Sequence, residues 1–207
     1  MTGDVLSEAE SLDEYRDVYD NAVTGATPNP LMSDPDDIDE QFAVEANRAL
    51  SDAVELLRRL IPSHQSAAAI IVQDDWSSMR KFFSLSPKYA AWSHYRVGAV
   101  GHGIHRWLTE QRKPVRLTQD ELEAHPEWRG FGFEADRHPP MRGWLAAPLL
   151  DSSGTCWGML QLSDRLTGEY TAGDEATLVR FTDLLTLTLE SLWNLRLAQK
   201  AARESVR

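Results

Sequence analysis

Apolar residues that recur every three or four positions predict two long helices, one near each end of the chain. The first runs from about Asp37 to Ile61, and Pro62 ends it. The second covers residues 173–202. Between them, shorter runs predict a sheet with additional short helices.

The second helix carries two apolar faces. One face has the alternating three- and four-residue spacing of a coiled-coil seam. Its members are Leu178, Phe181, Leu185, Leu192 and Leu195. The other face holds Leu184, Leu187 and Leu189. A helix with two apolar faces must pack on its own domain and on a second body, so we expect a homodimer that uses the first face as its seam.

Strands are predicted where short apolar runs lie between turn residues. Two strong runs, 144–150 and 156–162, flank a turn at 151–154, which predicts an antiparallel hairpin. Weaker runs predict strands at 67–72, 79–85 and 114–117 and helices at 101–113 and 119–125. The chain is therefore expected to have an α+β fold.

The net charge of -11 is confined to one part of the chain. Residues 1–40 hold twelve acidic residues and one basic residue, and the rest of the chain is balanced. We predict an acidic leader over residues 1–36, with a short helix at 6–22 and a linker, followed by a single domain over residues 37–203. A balanced domain lacks the basic face that binding nucleic acid requires.

Long apolar runs and clustered cysteines are both missing from the sequence. No run approaches the length of about 20 residues that spans a membrane, and we expect a cytoplasmic protein. The single cysteine, Cys156, excludes an intramolecular disulfide and a zinc site built from several cysteines. His102 and His105 share a helix face but have no third ligand at suitable spacing, so no metal site is predicted.

Several motifs near the C-terminus resemble those of one family. The run Gly158-Met-Leu-Gln-Leu-Ser-Asp-Arg165, the aromatic Tyr170 and the pair Asp174-Glu175 before the long helix resemble the C-terminal half of a GAF domain. Residues 101–104 and 117–132 resemble the same family, so the resemblance covers residues 40–200. It is similar in particular to the sensor GAF domains of bacterial histidine kinases.

The resemblance implies both a fold and a function. The fold would be an antiparallel sheet of five or six strands with helices on one face, and long N- and C-terminal helices that pair in a dimer. The function would be that of a sensory module that binds a small molecule and passes the signal to an output kinase or another effector domain. Arg165 and Asp174 match the family motif, and we expect them to form an ion pair that does not select a ligand.

The opposite face of the sheet is where the family binds ligands. The residues expected to line this pocket are Trp92, Trp107, Trp128, Phe131, His138, Arg142, Trp144 and Gln161. Aromatic walls with arginines nearby could receive a flat anionic ligand, although core packing also explains the tryptophans. No arrangement of residues resembles a catalytic triad or a carboxylate pair, so we expect a domain that is not an enzyme.

Two alternatives remain open. His138-Pro139-Pro140-Met141 resembles the proximal ligand segment of haem-binding GAF sensors, which would make His138 an iron ligand and the protein a gas or redox sensor. The distal tyrosine of those sensors would fall near Gln161. The third possibility is a purely structural dimerisation module. GAF enzymes that reduce free methionine sulfoxide use several cysteines, whereas this chain has one.

Overall fold

The computed structural model describes residues 37–72, 75–93, 103–128, 130 and 138–205. The predicted helix at 6–22 and the pocket candidate Phe131 lie outside this part of the chain. The helices are α1 (Asp37–Leu60), α2 (Ile104–Gln111), α3 (Gln119–Ala124) and α4 (Ala172–Ser205), with a 3-10 helix at Pro87–Trp92. The strands are β1 (Ser63–Val72), β2 (Asp75–Leu85), β3 (Val115–Leu117), β4 (Trp144–Leu150) and β5 (Cys156–Arg165).

The strands form one antiparallel sheet in the order β2-β1-β5-β4-β3. The predicted hairpin is β4–β5, and its turn is organised by the Asp151 carboxylate. That carboxylate accepts hydrogen bonds from the backbone N–H groups of Ser153 and Thr155 and from the Trp157 indole. β1 begins four residues before the predicted strand because its first residues are polar and break the apolar run.

We call the side of the sheet covered by α1 and α4 the helix face. Ala68, Leu145, Leu160 and Leu162 of the strands pack there against Val54 and Leu57 of α1 and Leu178 and Leu185 of α4. This apolar core confirms the amphipathic pattern of α1. Just after the helix Ile61 is buried as well, whereas Leu60 is half exposed.

The predicted dimer seam on α4 is corrected by the same core. Leu178 and Leu185 are buried within this domain, and Phe181 and Leu192 pack partly buried against them, so only Leu195 of the five is exposed. These side chains attach α4 to its own sheet. The 3.5-residue spacing could not show which of the two apolar faces meets the domain.

The free apolar face of α4 is the second one. Leu184 and Leu187 are 65% and 61% exposed, whereas Leu189 is buried. The first long helix likewise leaves Val44, Leu56 and Leu60 exposed.

The two long helices are also joined by a buried ion cluster. Asp39 of α1 is fully buried, and its carboxylate accepts hydrogen bonds from Arg196 and Lys200 of α4. The Arg196 guanidinium lies 4.5 Å from the centroid of the Trp193 ring. Because the start of α1 meets the end of α4, the two helices run antiparallel.

We call the other side of the sheet the pocket face. Met159, Trp144 and Ala146 lie there and form a second, smaller apolar cluster with Ile104 and Leu108 of α2. This cluster covers the part of the face formed by β4 and β5. The same face also carries the polar side chains described next, which come from β2, β5, α2 and the segment before β4.

Candidate functional site

Alternation along the strands decides which side chains reach the pocket face. Ala67 of β1 pairs with Phe83 of β2 and with Gln161 of β5. Ala69 pairs in the same way with Lys81 and Met159. Directly paired residues of neighbouring strands share a face. On this face β1 therefore presents two small, buried alanines between larger side chains of β2 and β5.

Gln161 is the hydrogen-bonding centre of this face. Its Oε1 accepts a hydrogen bond from the indole Nε1 of Trp144 over 2.8 Å, and lies 2.9 Å from Nε2 of His105. Trp144 is fully buried and so fixes the orientation of the amide. With Oε1 engaged twice, the amide nitrogen of Gln161 makes no hydrogen bond to any of the described residues.

Three basic side chains from three different segments surround this amide. Lys81 comes from β2, His105 from α2 and His138 from the segment before β4. Burial lowers the pKa of His105 to about 3, and the Lys81 charge and the His138 ring lower it further, against the hydrogen bond to Gln161. Both histidines are therefore neutral at physiological pH.

His138 is held by its own backbone neighbour. The ring is buried, and Nδ1 lies 2.5 Å from the carbonyl oxygen of Pro139, to which it donates. Burial lowers the pKa of His138 to about 4, although the bond to Pro139 opposes the shift and Lys81 adds to it.

Lys81 is the remaining charge in the site. Its Nζ lies 6.0 Å from the centroid of the Phe83 ring, and it makes no ion pair with any residue that the structure describes. Burial lowers the pKa of this ammonium to about 8. Lys81 is half-buried. A cation partly removed from water without a counter-ion is costly in free energy, so the arrangement is typical of a site that receives negative charge from outside.

The structure brings together three of the eight residues predicted to line the pocket, namely His138, Trp144 and Gln161. Trp107 and Trp128 are half-buried at the rim of the smaller cluster, where the Trp107 ring packs against His125 with centroids 4.5 Å apart.

Two other predicted residues lie elsewhere. Trp92 belongs to the 3-10 helix and packs on Tyr89, with ring centroids 5.6 Å apart. Arg142 is exposed, and it lines a shallow cleft of about 220 Å³ at the end of β5 together with Arg165 and Glu169.

Sequence reasoning missed Lys81 and gave His105 no role beyond a rejected metal pair. A signal for Lys81 was available, because a lysine two residues before Phe83 shares its face in any strand. No spacing rule could have paired His105 with Gln161, since the two are 56 residues apart.

The motif pair, Arg165 and Asp174, lies where β5 ends, away from the pocket face. Arg165 Nε is 3.1 Å from Oδ2 of Asp174, and the same carboxylate oxygen accepts hydrogen bonds from the backbone N–H and the hydroxyl of Thr171. Burial would raise the pKa of Asp174, but the bonds from Thr171 and Arg165 outweigh it and hold that pKa below its usual value. Asp174 thus caps α4 and attaches it to β5.

The preceding residue fixes the 3-10 helix to the same strand end. Asp164 is buried with a positive φ of 57°, and its Oδ2 accepts hydrogen bonds from Lys88 and, over 2.6 Å, from the Tyr89 hydroxyl. Lys88 and Tyr89 were not predicted as site residues.

No group of three or more histidine, cysteine and acidic side chains that could hold a metal ion occurs in the described ranges. Nor is any helix there long and apolar enough to cross a membrane. Cys156 is half-buried, and burial raises the pKa of its thiol. A thiol with a raised pKa is a poor nucleophile.

An antiparallel sheet with two long helices on one face and a cluster of polar side chains on the other defines an α+β fold. The profile of the GAF domain family matches residues 45–189, and the chain belongs to this family. The comparison with curated proteins found no match.

Solved structures with the same fold include proteins of different functions. A type II free methionine-R-sulfoxide reductase from Thermoplasma acidophilum is 12% identical, with a TM-score of 0.55 and coverage of 73% of this chain and 96% of that one. The GAF domain of a phosphoenolpyruvate-protein phosphotransferase from Coxiella burnetii is 18% identical, with a TM-score of 0.53 and coverage of 82% and 95%.

A third similar structure is the photoproduct state of GAF3 from Slr1393 of Synechocystis sp. PCC6803. It is 13% identical, with a TM-score of 0.52 and coverage of 76% and 98%. At these identities the likeness extends to the fold and not to the ligand.

Proposed function

We propose that this GAF domain is a sensory and regulatory module of bacterial signal transduction, such as the input of a histidine kinase. It binds a small molecule on the pocket face, forms a homodimer through its long helices and has no catalytic activity of its own. The output is supplied by a kinase or another effector domain. The photoreceptor and phosphotransferase domains that share the fold support a role of this kind.

The observation that carries the proposal is the polar cluster on the pocket face. Lys81, His105, His138 and Gln161 converge from four segments of the chain onto the side of the sheet that α1 and α4 leave uncovered. Ala67 and Ala69 of β1 are the small residues between them. Polar groups collected on a concave, partly apolar surface are typical of a small-molecule site.

A physical connection leads from this site to the long helices. β2, which carries Lys81, continues into the 3-10 helix, whose Lys88 and Tyr89 hold Asp164 at the end of β5. The next residue, Arg165, pairs with Asp174 in the first turn of α4. A ligand that favours one position of β2 would therefore bias α4, provided that it binds the two arrangements with different affinity.

Haem fits this pocket only in part. His138 is neutral, and Nδ1 donates to a backbone carbonyl, which is the support that metal-ligating histidines commonly have. If bound there, haem iron would supply gas binding or redox chemistry. The distal candidate departs from the tyrosine of the haem sensors: Oε1 of Gln161 is engaged by Trp144 and His105, and only the amide nitrogen remains to donate to a bound gas. Haem is therefore the second candidate, and an absorption spectrum with a Soret band that His138→Ala abolishes would favour it.

Native mass spectrometry of freshly purified protein tests ligand binding directly. We expect a species heavier than the bare polypeptide, with the extra mass released on denaturation. Ala67→Leu fills the centre of the pocket face and should abolish the extra mass. Ala176→Leu adds the same volume at an exposed site of α4 and should retain it. A wild-type protein without extra mass would instead support the structural dimerisation module.

The dimer is tested through the exposed leucines of α4. Leu184→Glu combined with Leu187→Glu should give monomers in multi-angle light scattering. Leu166→Glu, an equally drastic change at a residue exposed on the loop before α4, should leave dimers intact. Dimers that persist in the double variant would contradict this interface. Leu185 is unsuitable for such a test because it is buried in the domain core.

A further inference from the structure

We propose that the ligand of the pocket face is a small organic anion whose carboxylate group binds the Lys81 ammonium and the amide nitrogen of Gln161. This inference rests on the proposed function and assigns the chemical class of its ligand.

The charges on the pocket face favour an anionic ligand. The titratable groups on the described part of the pocket face are Lys81 of β2, His105 of α2 and His138 before β4, and each is basic or neutral. β1 contributes Gln65, Ala67 and Ala69 to this face, and β5 contributes Met159, Gln161 and Ser163, none of which carries a charge. A carboxylate would supply the counter-charge that the ammonium lacks among the described residues, and pairing removes the cost of burying a lone ion.

The hydrogen-bonding groups left for a ligand are both donors. Trp144 and His105 both approach Oε1 of Gln161, which leaves the amide nitrogen as the group that faces a ligand. An amide nitrogen is a donor only, as is an ammonium. Strand register places Lys81 beside Ala69 and Gln161 beside Ala67, on the two strands that flank β1, so the two donors face each other across these alanines. A carboxylate has two acceptor oxygens and can accept from both sides.

Binding of an anion should be coupled to protonation of Lys81. Burial lowers the pKa of Lys81 to about 8, and an anion bound beside it would raise that pKa again. Binding should then take up a proton when it occurs near or above pH 8. Affinity should be greatest below pH 8 and about tenfold weaker at pH 9 than at pH 7, because only the ammonium form pairs with the anion.

The test compares acids with their neutral isosteres. Benzoate with benzamide, and acetate with acetamide, differ in charge at nearly constant shape. Binding to the full chain is followed by tryptophan fluorescence, since Trp144 adjoins the site, and by calorimetry. We expect each acid to bind at least tenfold more tightly than its amide at pH 7. At pH 8 calorimetry in buffers of different ionisation enthalpy should show uptake of about half a proton.

Two lysine variants locate the effect. Lys81→Met should lower the affinity for benzoate at least tenfold, leave benzamide unchanged and abolish the pH dependence. It should also raise the melting temperature by about 2–4 °C, because a methionine is buried where a lone cation was. Lys113→Met removes the same charge from an exposed site and should change nothing.

The outcomes separate this inference from the proposed function. Equal binding of acids and amides would overturn the anion assignment while leaving a ligand-binding pocket. Failure of both acids to bind would overturn it as well, and the native mass spectrum would still decide whether the domain carries another small molecule. If Lys81→Met did not fold, the acid–amide selectivity and the pH profile of the wild type would still test the assignment.

Discussion

The two faces of the sheet are built from the same strands but obey different rules. On the helix face, buried aliphatic side chains from β1, β4 and β5 pack against α1 and α4, and polar atoms are few. On the pocket face, the alanines of β1 lie between a lysine of β2 and a glutamine of β5, and two histidines approach from other segments. Because residues alternate along a strand, Leu160 and Gln161 belong to different faces although they are neighbours.

The two faces therefore make different contributions to the stability of the fold. The helix face stabilises the fold by burying apolar area, at roughly 25 cal/mol per Å². The pocket face keeps a lysine cation without a described counter-ion, which opposes folding, and two histidines whose lowered pKa values keep them neutral. Proteins accept such groups where a ligand will use them.

The largest expected loss of stability comes from a substitution that disrupts the sheet shared by the two faces. Gly158 has a φ of +146°, and a Cβ there would lie 2.0 Å from the carbonyl oxygen of Ala69. Gly158→Ala should therefore force β1 and β5 apart and destabilise the protein by more than about 4 kcal/mol, measured by urea unfolding.

A matched control exists in the turn that begins the same strand. Gly154 also has a positive φ, of +82°, but a Cβ there would meet nothing within 4 Å. Gly154→Ala should cost only about 1 kcal/mol. If the two variants lost equal stability, the close approach of β1 and β5 at Gly158 would not be the cause.

A smaller effect should follow from truncating the helix face alone. Leu160→Ala leaves a cavity under α1 and α4 and should lower the free energy of unfolding by about 2–5 kcal/mol. Discrimination between benzoate and benzamide should persist, because Leu160 lies on the other side of the sheet. Lys81→Met should change both quantities in the opposite sense, with higher stability and lost discrimination. Loss of stability in both variants would contradict the contrast between the faces.

Most of the fold could be predicted from the sequence because it depends on local pattern. Periodicity gave α1, α4 and the hairpin β4–β5, and the motif around Asp164 and Tyr170 gave the family. The first residues of β1 were missed because Ser63–Ser66 are polar, although they pair with β2 and β5.

The site was harder to predict because its contacts are distant in sequence. Asp39 meets Arg196 across 157 residues, and His105 meets Gln161 across 56. A lysine in a strand also looks like a solvent-exposed residue until a partner strand places it over a pocket. Tryptophans drew attention to the rim, whereas the charge at the centre comes from a strand that was predicted only weakly.

The pH dependence of stability should come mainly from the pocket face. His105 and His138 have folded-state pKa values of about 3 and about 4, below the unfolded value near 6.5. Their neutral forms stabilise the fold above pH 6.5, and this contribution is lost as the pH falls toward 4. Between pH 7 and pH 5 the loss should be on the order of 3 kcal/mol.

Above pH 5 the stability responds mainly to histidines, because the carboxylates with lowered pKa values, such as Asp164 and Asp174, titrate below it. His64, whose pKa is also lowered by burial, titrates in the same window. Melting temperatures across this range provide the measurement. His105→Gln removes one of these groups and should reduce the slope. An unchanged slope would mean that His105 is not desolvated.

The smallest expected effect concerns the motif pair, which belongs to neither face. Arg165 and Asp174 are both partly exposed, so solvent screening limits the pair to about 1 kcal/mol or less. Arg165→Gln removes the guanidinium but leaves Asp174 bonded to Thr171, so α4 remains capped. Urea unfolding should show a loss no greater than about 1 kcal/mol. Asp174→Ala also removes the carboxylate that accepts from Thr171, although the Thr171 hydroxyl still accepts from the backbone N–H of residue 174, and should cost up to about 1 kcal/mol more. If Arg165→Gln instead changed the affinity for benzoate without changing stability, the pair would be part of the connection between the pocket and α4, and its role would be to transmit the signal.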